Sequence, residues 1–427
     1  MNNRQCSRYT PWLMWFFPLS FFAFQFVLRL FPGLVMGEFL EKYHINATDF
    51  GLFASLYYLS YALLQIPVAL LLDKYGPRRI ISLSVMLCGL AVWMLVLFDS
   101  WPIALLHRLL IGAGSVVGFL GTSKVISQWF SQKRYGKMVG LTFSFGLLGA
   151  LYGGRPVSLM IEGMGWENVL MTLGTAALAL ALLIFIFVRD KAENLGEAQP
   201  NNPPVLSSLK KLFSHKSLLI LALANFLMVG ALDGFADVWG VPYLMAARDL
   251  TKIDAASMTS FIFVGMLFGG PLLAFLAEKY QFYYGITVSC GVLMAVSLAS
   301  LLFFNADLSH YGVIAIMFAI GLLCCYQVII FAIGAKLVPA PLMSITIAFL
   351  NCINMLGGSF FHSVIGRLMD LFEQGTMLNG IKVYSLETYT YTLLLIPLTS
   401  LLGAGLVCLS QKKQLRSTSL SIEAALS

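Results

Sequence analysis

The sequence predicts an all-α polytopic membrane protein, with twelve transmembrane helices in two six-helix bundles. Three observations carry that expectation. About twelve apolar runs, each long enough to cross a bilayer, follow one another with short polar breaks, among them 11–36, 50–72, 80–98 and 216–247. Hydrophobic residues make up 59% of the chain and charged residues 11%, far from a soluble globular composition. One longer polar break, Arg189 to His215, divides the runs into two sets of six. In hydrocarbon every backbone N–H and C=O needs an internal partner, so spans are helices or a closed barrel. Continuous rather than alternating apolarity selects helices.

The expected organisation is an N-terminal bundle over 1–188, a cytoplasmic linker over 189–215, a C-terminal bundle over 216–410 and a cytoplasmic tail over 411–427. The linker carries RDKAEN and then QPNNPP, and charge and proline deny it a buried core. The tail is basic, then polar, and is expected to be disordered. The two halves echo each other. Asp73-Lys74-Tyr75 follows the second run and Glu278-Lys279-Tyr280 follows the eighth. Similar six-helix halves are a transporter architecture.

The net charge of +7 could suggest nucleic acid, but the placement of the basic residues excludes it. With a cytoplasmic N-terminus, about eighteen of the 27 Lys and Arg residues fall on the inner side and about five on the outer. Arg29, Arg108, Lys124 and Arg155 stay inside spans. This asymmetry places both termini in the cytoplasm. The seven cysteines lie almost entirely in spans without metal-ligand spacing and read as small core residues. The first run is longer than a signal-peptide core and lacks a small-residue cleavage site, so it is expected to remain as the first span. Asn46-Ala47-Thr48 is a glycosylation sequon of a kind common by chance. There is no phosphate loop, metal cluster or nucleophile–base arrangement, so neither an enzyme nor a cofactor is expected.

The motifs narrow the class. Residues 67–79, ending Asp73-Lys74-Tyr75-Gly76-Pro77-Arg78-Arg79, resemble the signature loop of the major facilitator superfamily, G-x-x-x-D-R-x-G-R-R, with Ala69 and Lys74 as mild departures. Arg108-Leu-Leu-Ile-Gly112-Ala-Gly114 resembles its R-x-x-x-G-x-G motif. Gly146, Gly149, Gly153, Gly154 and Pro156 loosely resemble its glycine-rich fifth span, with Arg155 interrupting the glycine–proline pair. The resemblance implies two bundles around a central site, lined by spans that include the first and seventh. It also implies a conformational latch of Asp73, Gly76, Arg78, Arg79 and Arg108. Arg29-Leu-Phe-Pro-Gly, His44-Ile-Asn-Ala-Thr, Tyr57-Tyr58…Gln65-Ile-Pro67 and Lys124…Trp129-Phe130 further resemble the phagosomal-transporter family of intracellular bacteria. That implies a monomer in the bacterial inner membrane importing an amino acid, or next a nucleoside, with protons. Organic-anion or siderophore carriage is the alternative, and a sensor or channel is the alternative from another class.

An ionisable group at mid-membrane is costly and usually faces a cavity or a partner. Arg29 lies inside the first span; Asp233 and Asp237 lie inside the seventh, four apart and therefore expected on one helical face. Arg29 is the candidate for a substrate carboxylate, its planar fork matching that group, or for pairing with Asp233. Asp233 or Asp237 is the candidate proton-coupling acid. Lys124 can snorkel or line the cavity, and Arg155 can pair across it. Tyr57, Tyr61 and Gln65 share a face by four-residue spacing. Trp239 and Asn351 complete the substrate-binding candidates, with Asn225, Gln327 and Asn354 as further polar positions. For these, a helix-packing hydrogen bond is the competing reading. His107, near an outer end, is expected at the interface.

Overall fold

A computed structural model of the chain describes residues 10–190, 205–373, 375, 377–378 and 381–426. The first half runs α1 (Thr10–Leu34), the short α2 (Met36–Tyr43), α3 (Ala47–Tyr75), α4 (Pro77–Leu97), the pair α5 (Trp101–Ser115) and α6 (Val117–Trp129), the pair α7 (Gln132–Gly153) and α8 (Arg155–Met164), and α9 (Trp166–Phe187). The second half runs α10 (Val205–Ser214), α11 (Lys216–Gly234), a π turn (Phe235–Trp239), α12 (Gly240–Arg248), α13 (Lys252–Tyr280), α14 (Tyr283–Phe303), α15 (His310–Cys324), α16 (Tyr326–Lys336) and α17 (Met343–Phe372). A two-residue hairpin, β1 (Met377–Leu378) and β2 (Ile381–Lys382), precedes α18 (Leu386–Leu393) and α19 (Leu395–Leu426).

Local chemistry sets many of these ends. Pro77 opens α4, where its missing N–H costs nothing. Thr251, Ser309 and Ser385 cap α13, α15 and α18, their side chains accepting from the backbone N–H of Asp254, Gly312 and Thr388. Among the described residues, eleven helical stretches are long and apolar enough to cross a membrane. The fifth expected span is the broken pair α7–α8. Lys133, Arg134 and Lys137 dilute its apolar character, and Gly154 interrupts it before Pro156.

The chain forms two compact units, residues 1–35 with 56–200 and residues 36–55 with 201–427. In the first unit α1 packs on α7 and α4 on α9. In the second, α11 packs on α17 and α14 on α19. So in each unit the first span meets the fifth and the third meets the sixth, which is how a repeat buries equivalent faces. The broken fourth and tenth spans match as well, each splitting after a helix of 15 residues.

Three expectations need correction. Residues 36–55 belong by chain order to the N-terminal bundle, yet their partners are in the C-terminal half: Ala47 and Gly51 lie so close to Gly366 that a side chain at either glycine would meet backbone. The linker is not devoid of a core. Its residues 205–214 form α10, where Leu212 and Ser208 are buried, because an apolar stripe repeats at helical spacing beyond the prolines. The described tail continues α19 to Leu426 rather than ending at Ser410, since it contains good helix formers and neither glycine nor proline.

Candidate functional site

In the first unit, the four-residue spacing on α3 does bring Tyr57 and Tyr61 together, ring centroids 6.0 Å apart, with Gln65 buried one turn on. Beside them Arg108 is 1% exposed. Its guanidinium lies 5.1 Å from the Tyr57 ring centroid and donates to the carbonyls of Leu28 at 3.0 Å and Arg29 at 3.1 Å. The cause is Pro32. It has no N–H to send to Leu28, four residues back, so that carbonyl needs an external donor. Arg108 therefore does not belong to the latch. It lies 16 residues before Lys124 along the α5–α6 rod, about 24 Å at 1.5 Å per residue, and it ties α5 to α1. Its neighbour His107 is not interfacial but buried, with Nδ1 2.9 Å from the Ala91 carbonyl.

Arg29 is half-buried on α1, with its guanidinium 5.0 Å from the Tyr58 ring centroid and 5.7 Å from that of Phe26. Aromatic faces hold a planar cation by cation–π attraction. Arg155 is exposed at the start of α8.

At the signature loop, Lys124 donates to Asp73 at 2.6 Å. The structure thus brings Lys124 to Asp73 of the signature loop. Gly76 has φ +82°, and a Cβ there would lie 2.6 Å from the carboxyl of Asp190. Asp190 Oδ1 accepts from the Arg78 backbone N–H at 2.9 Å, capping the start of α4. Arg78 also donates from Nε to the Phe185 carbonyl at 2.7 Å. Burial pushes the Asp190 carboxyl up, against the Arg78 N–H bond and the charges of Arg78 and Arg79. Arg79 itself is exposed. Trp129 Nε1 donates to the Arg189 carbonyl at 3.1 Å. Sequence reasoning places Asp190 in a solvated linker. Its sequence neighbours, Arg189 and Lys191, carry no signal of the Arg78 N–H that it caps.

In the second unit, the seventh span does not keep one α register through its two acids. Between Asp233 and Asp237 the helix widens into the π turn, where the Gly240 N–H bonds back five residues to the Phe235 carbonyl. Asp237 is buried at 4% while Asp233 is half-buried. Pro242 accounts for the re-spacing, since it cannot donate to the carbonyl of Val238. Trp239 is fully buried, its ring centroid 6.1 Å from that of Phe50, and its Nε1 has no hydrogen-bond partner among the described residues. Among the described residues both side-chain amide atoms of Asn225, Oδ1 of Asn354 and the hydroxyl of Tyr326 are likewise buried without partners. Asn351 is half-buried.

A further cluster in this unit was not anticipated. Asp370, near the end of α17, accepts from the Thr48 N–H and hydroxyl at 2.8 and 2.6 Å, from Lys382 Nζ at 3.0 Å and from the Tyr384 hydroxyl at 2.8 Å. Tyr384 in turn accepts from the Ala47 N–H at 2.7 Å. Lys252 pairs with Glu38. Asn46 accepts from the Asp49 N–H at 3.0 Å, so the sequon residues are occupied in starting α3.

The family model described as Major Facilitator Superfamily matches residues 15–362 of this chain. Uncharacterized transporter YybO of Bacillus subtilis is 23% identical over 365 residues, 79% of this chain and 82% of that protein. The probable L-galactonate transporter of Escherichia coli is 23% identical over 263 residues, 56% of each chain. The hexuronate transporter of Bacillus subtilis is 24% identical over 280 residues, 63% of this chain and 64% of that protein. Among solved structures, a bacterial homologue of the human lysosomal transporter Spinster, inward-facing and occupied, superimposes with a TM-score of 0.78 at 15% identity, covering 95% of this chain and 98% of that one. A point mutant of the nucleoside transporter NupG gives 0.74 at 14% identity, covering 93% and 99%. The residues matched, the all-α fold and the apolar helices agree: this chain belongs to the Major Facilitator Superfamily and is a multi-pass membrane transporter of small molecules, not an enzyme.

Proposed function

We propose that the protein is a secondary active transporter of a small carboxylate-bearing metabolite, working by alternating access in the bacterial inner membrane with both termini cytoplasmic. The observation that carries this is Arg29, a half-buried guanidinium between the rings of Tyr58 and Phe26 on the first span. It is suited to hold a carboxylate edge-on. Relatives named for L-galactonate and hexuronate favour a sugar-acid type of organic anion over the amino acid expected from the sequence. An amino acid is the second reading, favoured by the buried Asp237, which could receive an ammonium group.

Protons supply the driving force in this reading, with Asp233 or Asp237 as the coupling acid. The π turn between them supports the role, because such turns recur at functional sites. Tyr57, Tyr61, Gln65, Trp239 and Asn351 would complete substrate contact, and Asp73, Gly76, Arg78 and Lys124 would latch one state of the cycle.

The test is a thermal-shift screen of purified protein against aldonates, hexuronates, amino acids and nucleosides, followed by uptake into proteoliposomes under a pH gradient. A ligand raises stability by mass action. Carboxylates are expected to score, and Arg29→Gln to lose the response. Hits confined to nucleosides would sink the carboxylate reading. Asp233→Asn or Asp237→Asn should keep exchange but lose gradient-driven accumulation. Normal accumulation in both variants would remove the coupling role.

A further inference from the structure

The two units solve the same electrostatic problem differently at the end where their second and third spans meet. In the first unit, α3 hands over to α4 through Gly76, with φ +82°. Two carboxylates serve that corner from within the chain: Asp190 caps α4 through the Arg78 N–H, and Asp73 takes Lys124 from the end of the fourth span.

In the second unit the corresponding corner is Glu278-Lys279-Tyr280-Gln281-Phe282, with Gln281 taking the left-handed turn at φ +52° before α14 begins. The lysine near the end of the tenth span is Lys336. It lies eleven residues beyond the helix break at Cys325, against eight from Val116 to Lys124, so it sits about one turn further along. Among the described residues no carboxylate lies within ion-pair distance of Lys336. Its ammonium rests instead on the ring of Tyr283, 3.5 Å from the centroid. Gln411, on α19, also lines this corner, and no side chain caps α14. Between these residues is a cavity of about 290 Å³, lined by Gln281, Phe282, Tyr283, Ile333, Lys336 and Gln411 together with Tyr284.

We propose that this cavity binds a phosphate group, which supplies beside Lys336 the negative charge that Asp73 supplies beside Lys124 in the first unit, since Glu278 of this corner makes no ion pair with Lys336 among the described residues. Lys336 would contribute the charge, the Gln411 amide a directional donor, with the second N–H of the Gln281 amide, whose first goes to the Glu278 carbonyl at 2.7 Å, beside it, and Phe282 and Tyr283 an apolar wall. Basic pockets at the cytoplasmic ends of spans take lipid headgroups, and the neighbouring aromatics Tyr280 and Phe282 are 63% and 57% exposed, as in an interfacial belt. The phosphate is therefore either that of an anionic phospholipid or a free phosphate. This site is separate from the substrate site and does not depend on its assignment.

The experiment is a thermal-shift titration of the purified full-length protein in a neutral detergent, with phosphatidylglycerol, phosphatidylcholine or inorganic phosphate. Phosphatidylglycerol alone is expected to raise the melting temperature saturably if the source is lipid, and inorganic phosphate as well if it is free phosphate. Lys336→Gln should weaken the response about five-fold, and Lys336→Arg should keep it. Gln411→Glu builds an acid into the cavity wall. It should raise the melting temperature without additive and abolish the response to phosphate groups. The proposal is overturned if neither phosphate probe shifts the protein, if phosphatidylcholine does so equally, or if Lys336→Gln responds as the native chain does.

Discussion

Asp370 and Thr48 are 322 positions apart in the chain, yet one carboxylate oxygen of Asp370 accepts both the backbone N–H and the hydroxyl of Thr48. The carboxylate thereby caps the first turn of α3, where free N–H groups and the helix dipole favour an anion. Its other oxygen takes Lys382 and Tyr384. Asp370→Asn removes the charge from four donors. It should lower stability by about 1–3 kcal/mol, read as a lower melting temperature in detergent. It should also speed labelling of a cysteine placed at Thr48. An unchanged melting temperature would show that the cluster contributes no net stability.

The relation between Arg108 and Pro32 is testable by a double-mutant cycle. Arg108→Leu strands the carbonyl of Leu28 and removes a second bond to that of Arg29, and should cost about 2–3 kcal/mol. Pro32→Ala restores an N–H for Leu28, so the same substitution in that background should cost less, with a coupling of at least about 0.5 kcal/mol. Additive effects would mean that the proline does not create the demand for the guanidinium.

At the signature loop, Gly76→Ala should destabilise by about 1–2 kcal/mol, because a Cβ meets the Asp190 carboxyl and a left-handed backbone is strained in any other residue. Asp190 itself gives a pH signature. Burial raises its folded pKa above the ordinary carboxylate value, so the folded chain holds the proton more tightly than the unfolded one. Its contribution is therefore greatest in acid and declines as pH rises through the folded pKa. Asp190→Asn keeps an acceptor oxygen without that titration. The stability of the native chain relative to Asp190→Asn should fall from pH 4 towards neutrality, and a rise would refute the assignment.

Asp73 and Lys124 are 64% and 27% exposed in their side chains. An ion pair this wet contributes under about 1 kcal/mol. Asp73→Asn should therefore barely move the melting temperature while slowing transport several-fold, if the pair acts in the cycle. Parallel melting and uptake measurements separate the two effects. Loss of stability without a change in turnover would make it a structural pair.

Much of this protein is legible from the chain alone. A bilayer leaves backbone polar groups no solvent partner, so apolar run length alone specifies helices, and the lysine and arginine asymmetry specifies an expected orientation. The repeated acid–lysine–tyrosine corners announce two similar halves, and i, i+4 spacing correctly pairs Tyr57 with Tyr61. What failed depended on partners remote in the chain. Arg108 reads as a latch residue until its donors are traced to carbonyls on α1, one of them freed by Pro32. Asp190 reads as linker because nothing in its neighbours says that Arg78 lies beneath it. Asp370 carries no motif at all. The π turn that follows Asp233 and contains Asp237 is one that no periodicity rule anticipates. Local sequence determines how a segment meets lipid and water, since that solvent is the same everywhere along the span. Only the tertiary structure decides which orphaned donor or carbonyl a buried charge serves, since that partner is set by packing between segments far apart in sequence.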